Sequence, residues 1–398
     1  MPVVEVHHEV CAEIPAKKML VTGGAGFIGS EFIRWTLQKH PDYQITNLDK
    51  LNYAGDPRRL EEVAENPNYH FVLGDIADAG LVTELFYEKD FDSVVNFAAQ
   101  THVTRSIYNP TPFTRTNFEG TAALLEAARR CWKSFEGKRF VQISTDEVYG
   151  FLEKDATGLF TESTALNPSS PYSVTKASAD MLVHSYFRTY GLPISITRCT
   201  NNYGPWQYPE KLVPLVVSNA LEDKPIPIHG EGRDIRDWLN VSDHCAAIDA
   251  VLQQGTPGEI YNIGGNNERE TIEVVRMILR ELHKPESLIR HIPPRGGHDL
   301  RYAIDSSKIK AELGWQPATD FETGMGETIY WYSRHVPWLE SLKNTTDYQT
   351  YYQRLVADTE LDRRIEQLEQ EDLNSEKRQQ QDKELQLFLH RADRSENP

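Results

Sequence analysis

Cysteine is scarce in this chain of 398 residues: Cys11, Cys131, Cys199 and Cys245 stand far apart, with no C-x-x-C and no Cys/His spacing that would hold a metal such as zinc. That excludes a disulfide framework and a structural zinc site, and free thiols fit a reducing cytoplasm. Positive charge is short as well. The 42 Lys and Arg against 59 Asp and Glu leave a formal net charge of -17, so no basic surface invites nucleic acid (DNA or RNA) or an anionic membrane. An anionic ligand must therefore meet a local cluster of cations. No apolar run approaches the ~20 residues of a membrane span, and residues 1–16 carry Glu5, Glu9 and Glu13 without the apolar core of a signal peptide. At 39% hydrophobic content the length allows a large core and two or three domains.

From Lys17 onward short apolar runs alternate with helical stretches, the pattern of a parallel sheet covered on both faces. Strands are expected at 19–22, 44–48, 71–73, 93–97, 140–144 and 194–197. This is an α/β chain with a doubly wound, Rossmann-like parallel sheet over 17–200, preceded by an N-terminal extension, 1–16. Beyond Cys199 the residues Pro205, Pro209, Pro214, Pro225 and Pro227 interrupt the periodicity, which marks a smaller C-terminal substrate domain over 201–340. The stretch 237–253 reads as a strand and a helix returning to the first domain, within about 237–265, so the two domains are expected to interleave. Residues 341–398 form a charged, Gln-rich extension, in which Leu361, Ile365 and Leu368 keep heptad spacing, the mark of a short solvated helix.

The first strand runs into Gly23-Gly24-Ala25-Gly26-Phe27-Ile28-Gly29, which fits G-x-G-x-x-G from Gly24. Glycines let the backbone turn tightly and approach a pyrophosphate, while the helix starting near Phe27 points its dipole and free N–H groups at the anion. The motif gains weight from its place between strand and helix, and from Asp49, which ends the next strand about 20 residues on. A carboxylate there binds ribose hydroxyls and repels a 2'-phosphate, favouring NAD over NADP. Asp75-Ile76 closes the third strand and Ala98-Ala99 the fourth, where adenine and the nicotinamide ribose would lie. Ordinary strand ends look the same.

Tyr172 and Lys176 are spaced i, i+4 and share one helix face. An ammonium beside the phenol favours the phenolate, so Tyr172 can take a proton from a sugar hydroxyl while a nicotinamide accepts the hydride. Any amphipathic helix can hold a Tyr and a Lys at this spacing. Here Thr145 ends the preceding strand, where its hydroxyl can bond the same substrate oxygen. Asp146 and Glu147 follow. Acids at such junctions often cap a helix, but two carboxyls beside a redox tyrosine also suit proton transfers, one group kept protonated as acid and one acting as base. Hydride transfer would then be accompanied by an elimination.

The runs Ser144-Thr145-Asp146-Glu147-Val148-Tyr149-Gly150, Tyr172-Ser173-Val174-Thr175-Lys176, Asn201-Asn202-Tyr203-Gly204-Pro205 and Arg236-Asp237-Trp238 together resemble the dTDP-glucose 4,6-dehydratases of the extended short-chain dehydrogenase/reductase family, from about Lys17 to Tyr332. The resemblance implies tightly held NAD, recycled in each turnover, with Phe27, Ile28, Lys50, Asn52, His102, Thr116, Tyr172, Lys176 and Asn202 joining the residues above around it. It implies that Thr145 and Tyr172 act at C4 of the glucose, Glu147 at C5 and Asp146 on the C6 hydroxyl. For the nucleotide-diphosphate glucose it points to His102, Thr145, Asn201, Lys211, Leu212, Pro227, His229, Arg236, Arg295 and His298, the arginines suited to grip phosphate oxygens bidentately. It also implies a homodimer with the Tyr172 helix at the two-fold interface. His229 and Thr271 depart from the common pattern, as do Gln100 and Thr104. Since uracil and thymine differ by one methyl, worth about 1–3 kcal/mol of discrimination, UDP-glucose stands as an alternative substrate. A sugar 4-epimerase or decarboxylase on the same scaffold is disfavoured by Asp146-Glu147, and a non-catalytic NAD-binding protein by the intact Thr145, Tyr172 and Lys176.

Overall fold

The computed structural model describes residues 18–293 and 299–355; the extension 1–16, the loop with Arg295 and His298, and the segment with Leu361, Ile365 and Leu368 lie outside the described residues. The chain begins with β1 (Lys18–Thr22), α1 (Phe27–Lys39), β2 (Gln44–Asp49), β3 (Tyr69–Leu73), α2 (Ala79–Lys89) and β4 (Ser93–Asn96). Next come α3 (Val103–Tyr108), α4 (Thr111–Phe113), α5 (Thr121–Cys131), β5 (Arg139–Thr145), α6 (Pro171–Tyr190) and β6 (Ile194–Cys199). Then follow β7 (Asn201–Tyr203), α7 (Leu212–Leu221), β8 (Ile226–His229), β9 (Ile235–Asn240), α8 (Val241–Gln254) and β10 (Ile260–Ile263). The remainder is β11 (Glu268–Glu270), α9 (Thr271–Glu281), β12 (Ile289–Ile292), α10 (Ser307–Leu313), α11 (Phe321–Arg334) and α12 (Val336–Lys343).

Seven strands pair in parallel in the order β10-β6-β5-β4-β1-β2-β3. Most are buried along nearly their whole length, as strands covered on both faces must be. On one face α1 and α8 contribute Phe32, Ile33, Ile248 and Val251 to a core with Ile45 and Val95. On the other, α2, α5 and α6 supply Val82, Phe86, Leu124, Leu125 and Val183. The strand order reverses between β1 and β4, and the carboxyl ends of the strands there open the crevice in which doubly wound sheets bind ligands.

A further core gathers Val213, Val216, Trp238, Val275, Ile278, Met325 and Ile329 beside the small sheet β11-β9-β7. The strand and helix expected to return together over 237–253 instead part company. Strand β9 stays in the small sheet, because its Asp237 carboxylate accepts the backbone N–H groups of Gly265 (2.8 Å), Asn266 and Asn267. Helix α8 packs on the large sheet, and β10 completes that sheet at the β6 edge. No helix of the described residues is long and apolar enough to cross a membrane.

Helix α6 is well delimited. Ser170 caps its start in a reciprocal box with Ser173, Pro171 occupies the first turn where no N–H is needed, and Gly191 ends it at φ 71°. A buried ion pair clamps it to the sheet: Arg198 Nε donates to Asp180 Oδ2 at 2.9 Å, and Ser144 Oγ donates to the same oxygen at 3.0 Å. Asp180→Ala would leave the Arg198 charge buried and unpaired, so urea unfolding should show a loss of about 3–5 kcal/mol. A loss below ~1 kcal/mol would mean that water or another group takes over the pairing.

Candidate active site

The turn from β1 into α1 is shaped by its glycines. Gly23 sits at φ +68°, and a Cβ there would lie 2.7 Å from the Ala98 backbone; one on Gly29 would lie 2.5 Å from the Gly23 carbonyl oxygen. No side chain caps the N-terminus of α1, which begins after Gly26, so its N–H groups are available to an anion. Asp49, the last residue of β2, accepts from Ala25 N (2.9 Å) and Leu51 N (2.8 Å), which holds its carboxylate at the loop. Lys50 Nζ donates to Thr116 Oγ1 (2.9 Å) and Asp75 Oδ2 (3.3 Å). Strands β3 and β4 stop at Leu73 and Asn96, so Asp75-Ile76 and Ala98-Ala99 stand in the loops beyond them rather than at the strand ends proper.

These groups line one cavity of about 280 Å³: Gly23, Gly26, Phe27, Ile28, Gly29, Asp49, Lys50, Asn52, Asp75, Ile76, Ala98, Ala99 and Thr116 at one end, and Thr145, Asp146, Glu147, Tyr172, Lys176, Asn201, Asn202 and Lys211 at the other. A side-chain-free cradle, an open helix N-terminus and a fixed carboxylate fit a dinucleotide.

At the second end the strand β5 delivers Thr145, which caps a single 3-10 turn, Asp146–Tyr149, by accepting from Glu147 N. Across from it α6 presents Tyr172 and Lys176, both buried. The Tyr172 phenol shares the cleft with the Thr145 hydroxyl, and burial together with the Glu147 carboxylate holds its pKa well above the usual tyrosine value. The ammonium of Lys176, expected to act on that phenol, donates to the Ile143 carbonyl at 2.6 Å. Burial lowers its pKa, against the opposing pull of Asp180.

Asp146 is 2% exposed. Burial first, then the adjacent Glu147 charge, push its pKa well above the usual carboxylate range. Its Oδ1 meets the Thr145 hydroxyl at 3.3 Å, while Oδ2 is buried without a partner. A carboxyl that keeps its proton and has an uncommitted oxygen in a cleft is suited to protonate a leaving group.

Several expected residues lie elsewhere. His102 caps α3 and meets the Tyr351 ring at 5.0 Å, outside the cavity lining. Leu212 opens α7, and Pro227 and His229 sit in β8, where His229 Nδ1 approaches the Pro293 carbonyl at 2.8 Å. Arg236, expected to grip phosphate, donates to the carbonyls of Ile235 (2.8 Å) and Asp299 (2.9 Å) and lies 4.6 Å over the Tyr302 ring. Its guanidinium is absorbed by the protein interior beside Asp146, whose charge it favours.

Among the lining residues that escape sequence reasoning are Arg59 and Cys199. Arg59 donates to the carbonyls of Ala25 (2.8 Å), Ala54 (2.6 Å) and Trp206 (3.0 Å), tying the glycine loop to its neighbours. No motif surrounds it. Cys199, its thiol pushed up to about 12 by burial, ends β6 near Lys176. Its position at a strand end was the available signal.

A family model described as GDP-mannose 4,6 dehydratase matches residues 20–328. The chain is 49% identical over 337 residues to a dTDP-glucose 4,6-dehydratase of Xanthomonas campestris, covering 81% of this chain and 95% of that protein. Among solved structures, a Bacillus anthracis dTDP-glucose 4,6-dehydratase in complex with NAD is 48% identical with a TM-score of 0.76, covering 82% of this chain and 100% of that one. A Streptomyces venezuelae dTDP-glucose 4,6-dehydratase, also with NAD bound, is 45% identical with a TM-score of 0.78 at the same coverages.

The raised pKa of Asp146 has a stability consequence. The folded state holds this proton more tightly than the unfolded one, so the stabilisation is complete below the unfolded value of about 3.9 and declines as pH rises toward the folded pKa. Asp146→Asn should therefore unfold at a higher temperature than the parent, by about 1 °C per kcal/mol of stability. The gap should widen from pH 4 upward in thermal melts; a pH-independent gap would mean that the carboxyl is ionised in the fold.

Proposed function

The chain belongs to the family described by that GDP-mannose 4,6 dehydratase model, together with the dTDP-glucose 4,6-dehydratases, and on that premise we propose that it is an NAD-dependent hydro-lyase converting dTDP-glucose to dTDP-4-keto-6-deoxy-glucose. The observation that carries this reading is the buried, partnerless Oδ2 of Asp146 in the same cleft as Glu147, Thr145 and Tyr172. An enzyme that only oxidised and re-reduced C4 has no use for that carboxyl.

Tyr172 acts as a phenolate and takes the proton of the glucosyl C4 hydroxyl, which Thr145 orients; burial and the Glu147 charge oppose that form, and the positive nicotinamide ring of bound NAD would favour it. Bound NAD supplies the hydride acceptor for C4 and the hydride donor for C6. The 4-ketone acidifies the C5 proton, which Glu147 removes; the electron pair forms the C5–C6 double bond. The C6–O bond breaks as Asp146 gives its proton to the departing hydroxyl, releasing water. Glu147 returns a proton to C5 as C6 is reduced; Tyr172 then releases to solvent the proton taken from the C4 hydroxyl and Asp146 takes one up, so each turnover frees one water and restores all three groups. Lys176 holds the end of β5 through Ile143.

The large sheet and its helices form the NAD-binding unit, and the core around α7, α9 and α11 the nucleotide-sugar unit. Asn201 and Lys211 serve the nucleotide diphosphate from within the cleft; Leu212, Pro227, His229, Arg236, Arg295 and His298 are assigned to it by resemblance. A homodimer about α6 is supported by Val174 (46% exposed) and Met181 (59%), seven residues apart on one face, with Ile107 and Tyr108 exposed on α3. The free thiols of Cys131, Cys199 and Cys245 support a cytoplasmic location.

Purified protein incubated with dTDP-glucose should give a product lighter by one water and absorbing in alkali, and UDP-glucose should react more slowly. If neither sugar loses water while NAD stays bound, the dehydratase reading fails, and an epimerised sugar would favour the 4-epimerase. Asp146→Asn should slow water loss by about 10²–10⁴-fold while sparing C4 oxidation; equal damage to both steps would contradict its role. Met181→Glu should shift the mass measured by light scattering from dimer to monomer, and an unchanged mass would remove this face from the interface.

A further inference from the structure

Arg105 lies in α3 and ties together segments far apart in sequence. Its Nε donates to Glu210 Oε2 at 2.8 Å, and its two terminal nitrogens grip Asp347, at 3.1 Å to Oδ1 and 2.7 Å to Oδ2. The guanidinium lies 3.9 Å from the centre of the Tyr53 ring, and the Tyr53 hydroxyl donates to Glu210 Oε1 at 2.9 Å. Glu210 is buried and lines the cleft beside Lys211, as does Asn52 beside Tyr53. Arg105 therefore joins the wall carrying the cofactor end to the wall carrying the nucleotide-sugar end.

Asp347 comes from a helix at 346–355, past the end of the family match at residue 328. On that helix Asp347, Tyr348 and Tyr351 share a face by their spacing. Tyr348 meets Tyr208 at 6.4 Å between ring centres, and Tyr351 meets His102 at 5.0 Å. One helix face thus touches both walls. A bidentate carboxylate–guanidinium pair constrains orientation as well as distance, and the buried Glu210 carboxylate depends on the same guanidinium for its counter-charge.

We propose that Arg105 and Asp347 are positioning residues: their pair, seated on helix 346–355 and braced by Glu210, holds the two cleft walls at the separation that binds NAD and the nucleotide sugar tightly. The proposal rests on the cleft being the site described under the proposed function. Neither residue lines the cleft, so the pair acts on binding and leaves the chemistry of bound substrate to the groups around Asp146.

The test uses the full chain with Asp347→Asn, which keeps the shape and removes the charge, and with Arg105→Lys. In Asp347→Asn the dissociation constant of dTDP on NAD-loaded protein, read by calorimetry, and the NAD dissociation rate, read by fluorescence after dilution, should each rise about fivefold or more. Turnover at saturating dTDP-glucose should stay within about twofold, giving a KM effect without a kcat effect. The double variant should lose less than the sum of the two single effects, since the Arg105–Asp347 pair is counted in both. Asp347→Glu should recover part of the loss. Unchanged binding of both ligands, with or without a lower unfolding temperature, overturns the proposal, as does strict additivity. Parent protein that binds both ligands without making product sinks the dehydratase reading alone; parent protein that binds neither sinks both.

Discussion

The register of α6 on β5 is the constraint from which the chemistry of the cleft follows. The end of the strand meets residues spaced by whole turns along one helix face: Ile143 accepts from Lys176 and Ser144 donates to Asp180, which leaves Thr145 and Tyr172 lining the same cleft. These contacts are shielded from water, so each polar group depends on its partner for compensation. A slip of one residue along the strand would turn the Ser144 hydroxyl away from Asp180. Thr145 also caps the turn that carries Asp146 and Glu147, so the redox pair and the acid pair are positioned by one interface.

The burial that enforces this register also sets the protonation states. Desolvation raises the pKa of Asp146, Tyr172 and Cys199, and the Glu147 charge pushes Asp146 and Tyr172 up further. Asp146 and Glu147 thus differ by coupling: the charge on one keeps the proton on the other. Two adjacent carboxyls in a low-dielectric cleft cannot both be anions at small cost, and an acid beside a base is the lower-energy arrangement.

Cations are few in this chain, and the interior takes several of them. Arg59 closes the glycine loop, Arg198 neutralises Asp180, Arg236 fills carbonyls at Ile235 and Asp299, and Arg105 joins the cleft walls. Each answers a buried acceptor that would otherwise be left without a partner. Lys211 is then a cation in the cavity lining on the sugar side, which makes the spacing of the walls around it more consequential than the overall charge.

Much was legible in the sequence because it rests on local rules. Apolar strand runs, the glycine turn with Asp49, and the i, i+4 spacing of Tyr172 and Lys176 depend on backbone sterics and helix geometry, and the strands fall within a few residues of their expected places. The carbonyls that take the donors of Arg236 and Lys176 were not legible in the same way. Which oxygen a guanidinium or ammonium reaches depends on carbonyls brought from distant segments, and the return of 237–253 divided because Asp237 found its amides in the 264–267 loop. By itself the sequence determined the doubly wound sheet, the dinucleotide turn and the kinds of chemical group beside it. Only the tertiary structure decided which acid keeps its proton and which cations stay internal, because desolvation and pairing are properties of packed neighbours rather than of residue type.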